Sequence, residues 1–158
     1  MFVFTAKLTR KKLAAAVGGA GVVLIAVILL LSGSGRVEAS GTAPPSVKNI
    51  KTNEARVDFL AAYGWEAAPE ADSMQEVLIP KEFDDVFEEY NAMQTAQGFD
   101  LSKYRGRRVM RYVYKVENYP GGSREVYATL LMHKNTVIGG DIQSPEPGGF
   151  IHGFERPS

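Results

Sequence analysis

Nothing charged or polar interrupts the chain from Leu13 to Leu31, LAAAVGGAGVVLIAVILLL. At helical rise this run is about 28 Å long, close to the roughly 30 Å hydrocarbon core of a bilayer, so it predicts one membrane-spanning helix. Its Leu, Ile and Val residues favour insertion, while its Ala and Gly residues add little. From Ser32 to Val47 the pattern dissolves into Ser, Gly, Ala, Thr and Pro, which predicts a flexible linker reaching about 20 to 24 Å. Periodic patterning resumes from residue 48, first with the helical period and then with the strand period.

Thr52 or Asn53 can cap a helix in which Val57, Leu60 and Ala61, flanked by Phe59 and Tyr63, keep helical spacing until Gly64 stops it. WEAAP and MQEVLIP read as short extended pieces around a polar turn at 70–73. Ser73-x-x-Glu76 has the form of a capping box, but the apolar β-branched run and Pro80 behind it argue against a helix. A second helix is expected from Lys81 to Gln97, with Phe83, Val86, Phe87, Tyr90 and Met93 on its inner stripe and Gly98 ending it. RRVMRYVYKVEN, REVYATLLMHK and TVIGGDIQ then alternate, separated by Tyr119-Pro120-Gly121-Gly122-Ser123 and by Lys134-Asn135, which predicts an antiparallel meander. Met110, Tyr112, Tyr114 and Val116 share one face of the first strand, and Val126, Ala128, Leu130 and Met132 one face of the second. Both helices laid on that face make a two-layer α+β domain over residues 48–158.

Charge gives the anchor its direction. Lys7, Arg10, Lys11 and Lys12 precede the apolar run and only Arg36 follows closely, so residues 1–12 form a basic cytoplasmic tail and the C-terminal domain lies outside the cell. The alternative is secretion after cleavage following Ala39, at Val37-Glu38-Ala39, but that site stands well beyond an apolar run longer than a usual signal peptide's. Cysteine is absent, which excludes lipid attachment at cysteine, disulfides, thiolate nucleophiles and Cys-ligated zinc. Within the run, Ala14, Gly18 and Gly21 fall on one face and permit weak helix pairing, or simply face lipid.

The strings GFDLSKYRGRRVMRYVYKVENYPGG, EVYATLLMHKNTVIGGDIQS and GFIHGF resemble the uncharacterised bacterial family catalogued as domain of unknown function 4830, over about residues 48–154. The resemblance implies a small membrane-tethered domain of Gram-positive bacteria and carries no catalytic residue with it.

The candidate chemistry is sparse. Glu66 to Glu89 is rich in acids, whereas Lys103, Arg105, Arg107, Arg108 and Arg111 crowd into a stretch without any. These cations either face the acidic helix or form a patch for anionic lipid head groups or wall polymers. Nucleic acid does not suit a net-acidic outer domain. Hydrolase, phosphate-loop, zincin and calcium-loop motifs are all missing, and His133 and His152 are the only histidines, so no cofactor or metal site is expected. Asp84 and Glu88, one helical turn apart, are read as solvated acids rather than cation ligands. Gly139-Gly140-Asp141 and His152-Gly153 remain, with the two glycines signalling a bulge or a close approach. Asp141 and His152 are weak candidates for a general-base pair, and their structural reading is loop bonding and packing. The expectation is a non-catalytic binding module for a protein partner or envelope component at the cell surface, with an envelope hydrolase using Asp141 and His152 as the alternative.

Overall fold

The computed structural model describes residues 44–122 and 124–158. The expectations for the tail 1–12, the helix 13–31, the pairing face of Ala14, Gly18 and Gly21, the linker as far as residue 43 and cleavage after Ala39 lie outside the described residues. Among the described residues no helix is long and apolar enough to cross a membrane.

The domain is α+β. Helix α1, Asn53–Ala61, starts at Thr52, whose hydroxyl accepts a hydrogen bond from the Ala55 N–H at 3.2 Å. Strand β1, Ser73–Leu78, precedes helix α2, Asp85–Ala96, and a 3₁₀ turn, Leu101–Tyr104. Strands β2, Arg108–Val116, β3, Val126–His133, β4, Thr136–Gln143, and the short β5, Ile151–His152, complete the chain. The strands form one five-stranded sheet in the order β1-β2-β3-β4-β5, and every pair is antiparallel. MQEVLIP is thus extended as expected, and it adds an edge strand to the meander. WEAAP contributes only an isolated bridge between Ala67 and Val116.

The two-layer expectation is corrected to three layers. Phe59 and Leu60 of α1 pack with Tyr114, Ala128, Leu130 and Ile142, whereas Phe87 of α2 packs with Val77, Val109, Leu131 and Ile138. Side chains alternate along a strand, so these two sets occupy opposite faces and the helices sandwich the sheet. The reason is visible in β3, where every residue from Val126 to Met132 is buried. A strand buried on both faces must be covered on both.

Helix α2 also starts later than expected. Asp84 accepts from the Phe87 N–H at 2.9 Å and caps the helix, leaving Lys81 to Phe83 in the approach. Its inner stripe is shifted too: Val86 is 43% exposed, and Gln94 is wholly buried. Gln94 Nε2 donates to the Gly140 carbonyl and Gln94 Oε1 accepts from the Gly140 N–H, both at 2.9 Å. Beside that contact the sheet carries a bulge: Leu131 pairs with Gly139 and Met132 with Val137, leaving Ile138 as the extra residue. The close approach expected at the adjacent glycines is also present. A Cβ on Gly140 would lie 2.2 Å from the Thr129 carbonyl oxygen and 2.3 Å from the Phe154 ring.

Two substitutions test this packing by chemical denaturation. Phe87→Ala is expected to cost about 3 to 5 kcal/mol, since it empties the centre of the α2-side cluster. Gly140→Val is expected to prevent cooperative folding, because its neighbours include backbone that cannot swing aside. A native-like unfolding midpoint for either variant would contradict the three-layer packing.

Candidate functional site

Asp141 and His152 come from neighbouring strands but point to opposite faces of the sheet. His152 stands opposite Ile142 in the β4–β5 pairing, so its ring lies on the α1 face with Ile142. Asp141, one residue earlier, faces α2, where the Tyr90 hydroxyl donates to its Oδ2 at 2.7 Å. The sheet therefore separates the two candidates for an acid/base pair, and no substrate atom can touch both groups at once.

His152 is held by an aromatic cluster. Its ring stacks on Phe150 at 5.4 Å between centroids, and Tyr119 and Trp65 pack around it at 5.9 and 6.2 Å. Nδ1 is 2.7 Å from the Gly153 carbonyl, which fixes the proton on that nitrogen, and Nε2 is 3.2 Å from the Tyr119 hydroxyl and accepts from it. Burial holds the imidazole pKa below its ordinary value, with the Gly153 carbonyl opposing. Both ring nitrogens are thus engaged in fixing the tail to the sheet.

Asp141 belongs to a cross-strand row, Ser73–Val113–Thr129–Asp141, that runs beneath α2. Three buried oxygens in it, Ser73 Oγ, Thr129 Oγ1 and Asp141 Oδ1, have no hydrogen-bond partner among the described residues. Burial pushes the Asp141 carboxyl up to about 6, while the Tyr90 hydroxyl, Arg111 and Thr129 pull the other way. The Thr129 hydroxyl is near enough to favour the carboxylate, yet the two oxygens do not reach hydrogen-bonding geometry. The Tyr90 phenol is raised well above its usual range, first by burial and then by the Asp141 charge. The row is the least satisfied polar region of the core, and each orphaned group there costs about 1 to 3 kcal/mol.

Of the two readings of the basic stretch, pairing with acids holds for some of its residues, and they do not all lie on one face. Arg108 pairs with Glu76 at 2.7 Å, and Arg105 lies 3.8 Å from Glu88 with its guanidinium over the Phe83 ring. Arg111 faces the Asp141 row on the α2 side, whereas Arg108, three residues earlier, is on the other face. Lys103 and Arg107 remain exposed at the end of the sheet where β2 begins. Asp84 serves as the α2 cap and Glu88 answers Arg105, so the paired acids have local duties. Among the described residues no group of three or more His, Asp or Glu could hold a metal ion.

Sequence reasoning missed Gln94 and Gln97, which carry the bonds between α2, β4 and the tail. Gln97 donates to the Gly140 carbonyl at 3.1 Å and accepts from the Phe154 N–H at 2.7 Å. The available signal was spacing, since Phe87, Tyr90, Gln94 and Gln97 continue one helical face.

The arrangement defines a small α+β domain, a five-stranded antiparallel meander between two helices, whose candidate reactive groups are tied into the scaffold. The chain belongs to the family described as Domain of unknown function (DUF4830), whose profile matches residues 59–142, from α1 into β4. That stretch includes Asp141 and the basic residues but stops short of His152. No curated protein and no solved structure matches the chain.

The Asp141 row predicts a pH dependence with a definite sign. A folded pKa of about 6 against an ordinary 3.8 means the native state holds this proton more tightly than the unfolded chain. Its contribution to stability is therefore fully present below pH 3.8 and is lost as pH rises through about 6, a change of about 2 to 3 kcal/mol. His152, with its lowered pKa, acts oppositely, and its contribution is lost on acidification below its ordinary 6.5. Asp141→Asn is neutral and can still accept from Tyr90. It is expected to stabilise the domain by about 1 to 3 kcal/mol above pH 7, with the advantage vanishing near pH 4. Urea midpoints of both proteins across that range check it, and a variant less stable than the parent at pH 8 would refute the assignment.

Proposed function

We propose that this protein is a membrane-anchored, outward-facing binding module, whose domain takes up an extended segment of another envelope protein along the free edge of β1. The observation that carries the reading is that edge. Among the described residues strand β1 is the last strand on its side of the sheet, and Met74 upon it is 61% exposed. Ile79 turns both backbone groups towards the chain leading into β2, donating to the Arg107 carbonyl and accepting from the Gly106 N–H. By alternation Leu78 and Glu76 turn theirs outward, where an added strand could pair with them. Met74 and the partly buried Leu78 share one face of β1 and offer apolar contacts to alternate residues of such a strand. The apolar run 13–31 and the charge bias around it support the anchor and its orientation. Nothing in this role requires the acid/base pair that the sheet keeps apart.

A photo-crosslinking residue at Met74 in the full chain tests the edge in intact cells. It is expected to form an adduct with a partner protein. Glu76→Pro removes an outward N–H at an edge position that tolerates proline, and should lower adduct yield about tenfold. Glu76→Gln keeps the N–H and should leave the yield intact. Absence of any adduct, or one indifferent to Glu76→Pro, would overturn strand addition.

A further inference from the structure

We propose that the end of the sheet at which the linker joins the domain is a docking surface for anionic lipid, so that the domain rests on the bilayer in one orientation. This rests on the anchored reading and names the surface on which the domain stands. The entering chain is fixed to the β3–β4 turn, with the Ile50 N–H donating to the Asn135 carbonyl at 2.9 Å and the Val137 N–H to the Val47 carbonyl at 2.8 Å. Those bonds bring Lys48 and Lys51 beside Lys134, and all three are exposed. The Tyr104 ring packs on His133 at 5.3 Å and sets Lys103 next to the same turn. Arg107, just before β2, lies at this end as well, because β2 begins where β3 ends.

Five exposed cations from four segments of chain thus gather at one end, and none makes an ion pair with a described residue. The acids of the first turn of α2 lie on the helix side of this end, where Arg105 answers Glu88. At the opposite end, the loops after β2 and before β1 and β3 expose Glu66, Glu70, Asp72, Glu117 and Glu125 against Arg124. The domain is therefore charged along the strand direction, with its positive end where the linker enters. The cations are spread over a surface and do not converge on a pocket, a form that suits a sheet of anionic head groups better than one small anion. Such attraction acts within about one Debye length, roughly 8 Å in physiological salt, and a linker of about 20 to 24 Å keeps this end close enough to reach it.

Since the chain has no cysteine, one introduced at Asn135 can carry an environment-sensitive fluorophore in the full-length protein. The protein would be reconstituted in vesicles of phosphatidylcholine alone, or mixed with phosphatidylglycerol, each with a head-group quencher. Quenching is expected to be at least about threefold greater in the anionic vesicles and to fall to the neutral level at about 1 M salt. The combined Lys103→Glu, Arg107→Glu and Lys134→Glu variant should lose the difference while keeping its unfolding midpoint. A label at Gly148, at the other end, should stay unquenched throughout. Equal quenching in both vesicles, or a difference that survives charge reversal, would overturn the proposal. Alkaline washing of the same vesicles reads the anchor separately: release of the protein would count against insertion, while the comparison of lipids still reports on the charged end.

Discussion

Gln94 supplies to β4 what a neighbouring strand supplies elsewhere in the sheet. Strand β5 pairs only with Ile142 and Gln143, so the outer backbone groups of Gly140 have no strand to bond. They are buried, and a buried unpaired N–H or C=O costs about 1 to 3 kcal/mol. The Gln94 amide satisfies both, one as donor and one as acceptor. It can do so only where β4 has no side chains, since a Cβ on Gly139 would stand 2.9 Å from Gln94 Oε1. Once this contact is made, α2 is fixed in rotation and height. Tyr90 then lies over Asp141, and Gln97 reaches the Phe154 N–H to bring the tail across the other face.

Much of the fold was legible from the sequence because its local signals were strong. Thr52 and the glycines after each helix mark helix ends with little ambiguity, and three alternating runs with turn residues between them leave few arrangements other than a meander. The layer count was less legible. Past Arg108, one face of β2 and β3 is apolar and was readily found, whereas the other mixes Val109, Leu131 and Val113 with Arg111, Thr129 and, on β4, Asp141. Polar residues at half of its positions disguised a buried face as a solvated one. The apolar run LLM at 130–132 pointed to burial on both sides.

The candidate site was legible as residues but not as geometry. Asp141 and His152 stand close across the β4–β5 pairing, yet a strand's period of two sends them to opposite faces, and only the register decides which face each takes. The basic stretch suffered from the same arithmetic. Residues 107, 108 and 111 are close along the chain and diverge in space, while Lys48, Lys51 and Lys134, distant along it, meet at one end. A charge run in a strand divides itself between faces, and a cluster of real extent has to be assembled from separate loops.

If the chain is anchored as proposed, its tether changes what weak contacts can accomplish. A surface attraction of about 1 kcal/mol per cation would leave a free domain mostly in solution at ordinary dilution. A linker of about 20 to 24 Å confines the same domain to an effective concentration in the millimolar range near the bilayer, so modest attraction suffices to orient it. The strand axes then rise from the membrane with the acidic loops outermost, and the β1 edge stands to the side, along the full height of the sheet. An edge presented sideways is open to a partner that is itself held in the same membrane, and both tethers then lower the entropic cost of meeting. Under that geometry the adhesion of the basic end and the openness of the edge are coupled. Whatever weakens the hold on anionic lipid also releases the edge from its fixed bearing, so strand addition would respond to lipid charge and salt although no lipid touches β1.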